Sequence, residues 1–309
     1  MGKIAFVFAG QGAQYTGMGQ SLYACSPAAK EVFDQAEAIR PGTIRQCFEG
    51  DKETLGQTIN TQPCLFTVDY ACAAAAKEAG ISPQGAAGFS LGEVAAVAYC
   101  GVLDFKAAFR LVCRRAELMD DCAKQNPGAM AAILRLTPEQ VTDACEGFDA
   151  VFPVNYNSPQ QTVVSGSAQQ LEAYIEKVTA LGGRAMKLPV SGGFHSPFMA
   201  QAAKGLASYM AELEIAEPAL PLYANYDAAP YCAARAKELL ALQVQSPVRW
   251  QKTVENMVAE GFDTFVEVGA GKTLCGLIRK IAPQVQVYQV ENEQTLLAAG
   301  QALAGGERC

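Results

Sequence analysis

The sequence is short of histidine: His195 is the only one in 309 residues. Any reaction that needs an imidazole base has a single candidate. It also lacks a C-x-x-C pair. Its eleven cysteines stand singly and are odd in number, which argues against a zinc site or a disulfide framework and for buried free thiols in a reducing cytosol. No run of about 20 uncharged apolar residues occurs, so no transmembrane helix is expected. The chain enters KIAFVFAG without the longer apolar region and small-residue cleavage site of a signal peptide, so the reading is a cytoplasmic protein with no membrane partner. Cations are outnumbered, with 24 Lys and Arg against 31 Asp and Glu and a net charge of −7. No basic excess offers itself to nucleic acid.

What is present is an ordinary globular composition, 50% hydrophobic and 18% charged, long enough for a sizeable core. KIAFVF (3–8) reads as a buried parallel strand. Helices are predicted over 17–39, 61–79, 91–100 and 104–124, the second starting at Thr61 and Pro63. After QNPG (125–128) the pattern becomes β-α-β-β-α-β, a ferredoxin-like order. That places a small inserted domain at 126–191, between the two parts of an α/β core at 1–125 and 192–309. In the second part, helices are expected over 197–213, 232–243, 249–260 and from Lys272, with strands over 220–225, 264–269 and 284–290.

The segment GFSLGE (88–93) matches G-x-S-x-G between a predicted strand and a predicted helix. In such a turn the serine is held in strained geometry and its neighbours must be small, which Gly88 and Gly92 satisfy. The Leu91 amide, at the start of the helix, is a free donor for a developing negative charge. SGGFHSPFM (191–199) carries His195 in a glycine-rich loop where the chain leaves the insert. A neutral imidazole there could take the Ser90 hydroxyl proton; its pKa, if unperturbed, would be about 6.5. FAGQGAQ (8–14) is not a dinucleotide loop, because Tyr15 stands where the third glycine belongs. GAGKT (269–273) is not a P-loop, because Val266 replaces its first glycine. Arg110, Arg114 and Arg115 lie on one predicted helix. Arg115 shares a partly apolar stripe with Leu118 and Met119, where an arginine usually faces an acid of the protein or of a ligand.

Seven segments, FAGQGAQ, GFSLGE, RRAELM, NYNSPQQTVVSG, GGFHSPFM, VQSPVRW and EVGAGKTLCGLI, follow one another nearly end to end. In that order and spacing the chain resembles the malonyl-CoA:acyl-carrier-protein transacylase family of fatty-acid and polyketide synthesis. The resemblance implies a hydrolase-like α/β core with a mostly parallel sheet plus the ferredoxin-like insert. It implies malonyl transfer from malonyl-CoA to the pantetheine thiol of acyl carrier protein through a malonyl-serine ester, with no cofactor beyond those substrates, in a protein that is commonly a monomer. Carried onto this sequence, it makes Ser90 the nucleophile and His195 the base, oriented by a backbone carbonyl near Gln243. The backbone N–H groups of Gln11 and Leu91 become the oxyanion hole. Arg115, four residues before Met119, becomes the malonyl-carboxylate ligand, and Phe194 a ring that crowds α-methylated acyl groups. Carrier docking would use local cations, with Arg184, Lys187, Lys272, Arg279 and Lys280 as candidates. One position departs from the family pattern: Phe89 stands where histidine usually precedes the nucleophile. A serine hydrolase with the same Ser-His pair, and a non-catalytic homologue that only binds the carrier, stay open as alternatives.

Overall fold

The computed structural model describes residues 2–190 and 192–304. Its strands are β1 (Lys3–Phe8), β2 (Gly85–Gly88), β3 (Ala129–Leu134), β4 (Val151–Ser158), β5 (Gln161–Gly166), β6 (Arg184–Lys187), β7 (Leu222–Tyr223), β8 (Phe262–Val268) and β9 (Gln286–Val290). They form two sheets. One is a parallel five-stranded sheet in the order β7-β2-β1-β8-β9. The other is an antiparallel four-stranded sheet in the order β4-β5-β3-β6.

The sequence of β1 explains why the parallel sheet is covered on both faces. Successive side chains point to opposite sides. Phe6 and Phe8 enter one apolar cluster, and Ala5 and Val7 enter another with Trp250, Met257 and Phe265. The antiparallel unit has a core of its own around Ile133, Val141, Val164, Leu171 and Tyr174. Phe8 of β1 lies in register with Gly88 of β2 and Val268 of β8. The loops that follow these three strands therefore emerge side by side at the carboxyl edge of the sheet, where open α/β sheets hold their ligands.

Several predicted elements differ in extent. The helix expected over 17–39 is two helices, Gln20–Cys25 and Pro27–Ile39, because Ser26 caps the second by accepting the Ala29 N–H at 3.1 Å and Pro27 opens it. The helix expected from Thr61 begins at Thr58 and keeps Pro63 inside it. That helix is buried along most of its length, and burial outweighs the missing amide donor. The last strand of the β-α-β-β-α-β pattern, RAMKLPV (184–190) in the sequence, ends at Lys187, before Pro189. Helices Thr43–Glu49, Lys52–Gly56 and Glu293–Ala304 were not anticipated. Among the described residues no helix is long and apolar enough to cross a membrane.

Candidate active site

Ser90 sits between β2 and the helix Leu91–Tyr99 with φ 54° and ψ −107°, backbone angles that a non-glycine residue adopts only under constraint. The constraint is steric and polar. A Cβ on Gly88 would collide with the Gly92 main chain, and one on Gly92 with the Phe8 carbonyl. Gly10, in the loop after β1, lies so close to the Phe89 carbonyl that a Cβ would stand 2.7 Å from it. Asn225 clamps the turn from the other side. Its Oδ1 accepts the Ser90 N–H at 2.7 Å, and its Nδ2 donates to the Gly88 carbonyl at 2.6 Å. The Gly92 and Glu93 amides turn back onto the Phe89 and Ser90 carbonyls. Of the first donors of the helix, Leu91 N–H is the one this turn does not consume.

His195 also has positive φ, 60°. Its N–H donates to the Val244 carbonyl at 3.0 Å, tying its loop to the end of the helix Ala233–Gln243. Nδ1 lies 2.8 Å from the Gln243 carbonyl, and Nε2 lies 2.7 Å from Ser90 Oγ. A carbonyl only accepts, so the proton resides on Nδ1 and the Nε2 lone pair accepts the Ser90 hydroxyl. The ring is 4% exposed. Burial first, and the Arg115 cation second, push its pKa down to about 4. The unperturbed value of about 6.5 therefore does not apply to this ring. The imidazole is neutral throughout the physiological range.

Arg115 rises from the helix Phe105–Gln125 and is 2% exposed. Nη1 donates to Gln62 Oε1 at 2.7 Å; Nη2 donates to Gln243 Oε1 at 2.9 Å and Ser90 Oγ at 3.3 Å. Its Nε is buried with no partner among the described residues. All three partners are uncharged, and burial lowers the guanidinium pKa to about 10, so the cation persists. Glu93, fully buried, accepts hydrogen bonds from Gln243 Nε2 at 2.6 Å, the Asn225 N–H at 3.3 Å and the Tyr231 hydroxyl. Burial raises its pKa to about 7 against the lowering effect of these donors.

The structure brings Gln11, Ser90, Arg115, Met119, Phe194 and His195 to one cavity of about 80 Å3, which Met130, Asn155, Leu188 and Val190, in and after strands of the antiparallel sheet, also line. Phe89 also lines it, and its ring meets Trp250 edge-on at 5.7 Å between centroids. A wider cleft of about 310 Å3 shares Gln11, Val190 and Phe194 with the cavity and leads outward past Thr58, Asp120 and Lys124. Leu91 supplies a backbone position, and Gln243 stands behind the cavity. Met119 lines the wall, and its Sδ accepts Gln62 Nε2 at 3.4 Å. The five candidate docking cations line neither space; Lys187 is paired with Glu172, and Arg279 donates to the Val287 carbonyl. Sequence reasoning missed Gln62, Glu93 and Asn225. For Glu93 a signal was available, a lone acid in the first turn of a helix otherwise made of Leu, Gly, Val, Ala and Tyr. Among the described residues no group of His, Cys, Asp and Glu could hold a metal ion.

The acyl transferase domain family matches residues 5–296. A malonyl CoA-acyl carrier protein transacylase of Bacillus subtilis (strain 168) is 41% identical over 310 residues, covering 98% of this chain and 98% of the relative. One from Escherichia coli (strain K12) is 36% identical, covering 97% of this chain and 99% of the relative. The crystal structure of the Clostridium perfringens transacylase superposes with a TM-score of 0.94 at 34% identity, over 99% of this chain and 98% of that one. A malonyl-transacylase solved in complex with a holo type II PKS acyl-carrier protein superposes at 0.93 with 33% identity, over 97% of this chain and 99% of that one.

Proposed function

Since the chain belongs to the acyl transferase domain family, we propose that it moves a malonyl group from malonyl-CoA to the pantetheine thiol of an acyl carrier protein through an ester on Ser90. One observation carries the reading: Ser90 Oγ lies 2.7 Å from His195 Nε2 and 3.3 Å from an Arg115 Nη2 that has no acidic hydrogen-bond partner among the described residues. A nucleophile and base alone fit any acyl group. A buried fork beside them, with no carboxylate in direct contact, fits an acyl group that ends in a carboxylate.

In the first half-reaction His195 Nε2 takes the hydroxyl proton as Ser90 Oγ attacks the thioester carbonyl. The carbonyl oxygen becomes an oxyanion held by the Gln11 and Leu91 N–H groups, a donor of this kind being worth about 2.7–4 kcal/mol. Collapse expels the CoA thiolate, which takes the proton back from the imidazolium. In the second half the carrier's thiol gives its proton to Nε2, attacks the malonyl-serine carbonyl, and leaves Ser90 with its proton restored. The Gln243 carbonyl keeps Nδ1 protonated through both halves. A fork-to-carboxylate pair contributes roughly 1.5–3 kcal/mol, enough for about 10- to 200-fold preference over acetyl.

The small antiparallel unit, with its order β4-β5-β3-β6, is the ferredoxin-like insert at 126–191 in this reading, and the parallel unit is a hydrolase-like core. The substrates bring their own pantetheine, and no further cofactor takes part. A monomer suffices, because one chain supplies the nucleophile, base, cation and walls of the cavity. The ten described cysteines are free, which suits the cytoplasm.

The test is a mixed incubation of labelled malonyl-CoA with holo carrier protein, with intact-mass analysis of the enzyme. One malonyl unit on the wild-type chain, none on Ser90→Ala, and label on the carrier are expected. Free malonate without labelled carrier would mean a hydrolase, and an unmodified chain a non-catalytic homologue.

A further inference from the structure

Arg115 and Glu93 form a buried cation and a buried carboxylate separated by one amide. The Gln243 side chain bridges them, with Oε1 accepting from Arg115 Nη2 at 2.9 Å and Nε2 donating to Glu93 at 2.6 Å. The amide cannot be turned the other way. Nε2 also donates to the Ser90 carbonyl at 2.6 Å, which only accepts, and a guanidinium only donates. Neither charged group makes a direct ion pair among the described residues. Among the described residues each is the opposite charge that acts on the other, and in a low-dielectric interior the oriented amide dipole passes the attraction along.

We infer that Glu93 is the resident counter-ion of Arg115, and that it sets how tightly the pocket holds a carboxylated acyl group without touching that group. The inference rests on Arg115 being the carboxylate ligand. An incoming malonyl carboxylate must share the guanidinium with a carboxylate already in place. The resident charge lowers the cost of burying the arginine in the empty enzyme. It also keeps the malonyl group from being bound so firmly that the enzyme gains ground-state affinity at the expense of turnover.

Glu93→Gln removes the charge and keeps the shape. The new amide can accept from Gln243 and Asn225 with its oxygen and donate to the Tyr231 oxygen with its nitrogen. Structural damage would weaken binding; loss of a competing anion tightens it, so the direction of the change separates the two. The measurement is calorimetric titration of malonyl-CoA and acetyl-CoA into full-length protein carrying Ser90→Ala, so that no chemistry intervenes. It is run about one unit above the Glu93 pKa of about 7, where the carboxylate is charged. Adding Glu93→Gln is expected to tighten malonyl-CoA about tenfold and to move acetyl-CoA by less than about twofold. Tyr231→Phe, which removes one donor to the charged form, is expected to shift malonyl-CoA the same way by a smaller factor, and it decides the matter if Glu93→Gln does not fold. Malonyl-CoA binding unchanged or weakened, or acetyl-CoA tightened equally, overturns the inference. Arg115→Ala in the same background isolates the underlying reading: if it does not weaken malonyl-CoA, Arg115 is not the ligand; if it does while Glu93→Gln has no effect, only the counter-ion role is lost.

Discussion

Gln243 holds His195 by its main chain and Arg115 by its side chain: the carbonyl lies 2.8 Å from Nδ1, and Oε1 lies 2.9 Å from Nη2. One residue thus aligns the base and the proposed carboxylate ligand through separable groups. Gln243→Ala keeps the carbonyl and deletes the amide. The expected result is retention of the Ser90–His195 pair, with acetyl transfer within about threefold of wild type and malonyl kcat/KM reduced about tenfold, one charge-assisted hydrogen bond. Steady-state kinetics with both acyl-CoAs measures it; equal losses for the two would show that the amide aligns the base as well.

Arg115→Ala removes the cation itself. Malonyl kcat/KM should fall by about 10- to 200-fold while acetyl transfer falls less, so that the ratio moves toward acetyl. Arg115→Lys should recover only part of the preference, because an ammonium cannot reproduce the two-pronged contact. An unchanged ratio in Arg115→Ala removes this residue from the carboxylate role.

The pKa of His195 shapes the acid limb of the rate profile. Burial and Arg115 disfavour the imidazolium, so the free enzyme keeps a neutral base down to about pH 4. The acid limb of kcat/KM, which reports the free enzyme, should therefore break near about 4 rather than at the ordinary histidine value of about 6.5. The linkage sign is the one for a histidine whose folded pKa is depressed. Between the unfolded and folded values the unfolded chain binds the extra proton, so His195 costs stability as pH falls through that window. Rapid dilution into acid buffers with stopped assay times measures the limb, and a break near the ordinary value would mean that water reaches the ring.

Gly92 is fixed by contact rather than by backbone angle. Its Cβ position is filled by the Phe8 and Ala9 carbonyls, at and just past the end of β1, which pairs with β2 and β8 and so is held on both sides. Gly92→Ala should cost at least about 3 kcal/mol and abolish acylation. Gly276→Ala is the matched comparison, since nothing lies within 4 Å of its Cβ in the helix Thr273–Ile281. It should be neutral or stabilising by up to about 1 kcal/mol. Thermal unfolding of the two variants tests the contrast.

Legibility in the sequence followed locality. The parallel core strands were readable because KIAFVF is apolar on both faces past its first residue, and TFVEVG is so apart from Thr264 and Glu267, as a sheet covered on both sides requires. The elbow was readable because its two glycines and serine lie within five positions. Asn225 was not, although it braces that elbow, because its partners lie 132 to 137 positions away along the chain. Hydrogen bonds of that span leave no periodic trace. The same holds for Gln62, which meets Arg115 across 53 positions. The short helices after residue 42 escaped for a different reason: they are too brief for a 3.6-residue period to register.

Phe194 stands at the junction of the cavity and the outer cleft, 7% exposed, between Val190 and His195. In the proposed reading its ring takes the space that an α-methyl branch on the acyl group would need, since the cavity it lines is only about 80 Å3. Phe194→Ser exchanges the ring for a hydroxymethyl group without touching Ser90, His195 or Arg115. Methylmalonyl-CoA should then acylate the enzyme about tenfold faster relative to malonyl-CoA, a difference of roughly 1.4 kcal/mol and within what a pocket methyl group decides. Competition between the two acyl-CoAs, read by intact mass, gives the ratio directly. A ratio that does not move would mean that the branch meets a different wall, and Leu188 and Val190, which also line the cavity, become the next positions to shorten.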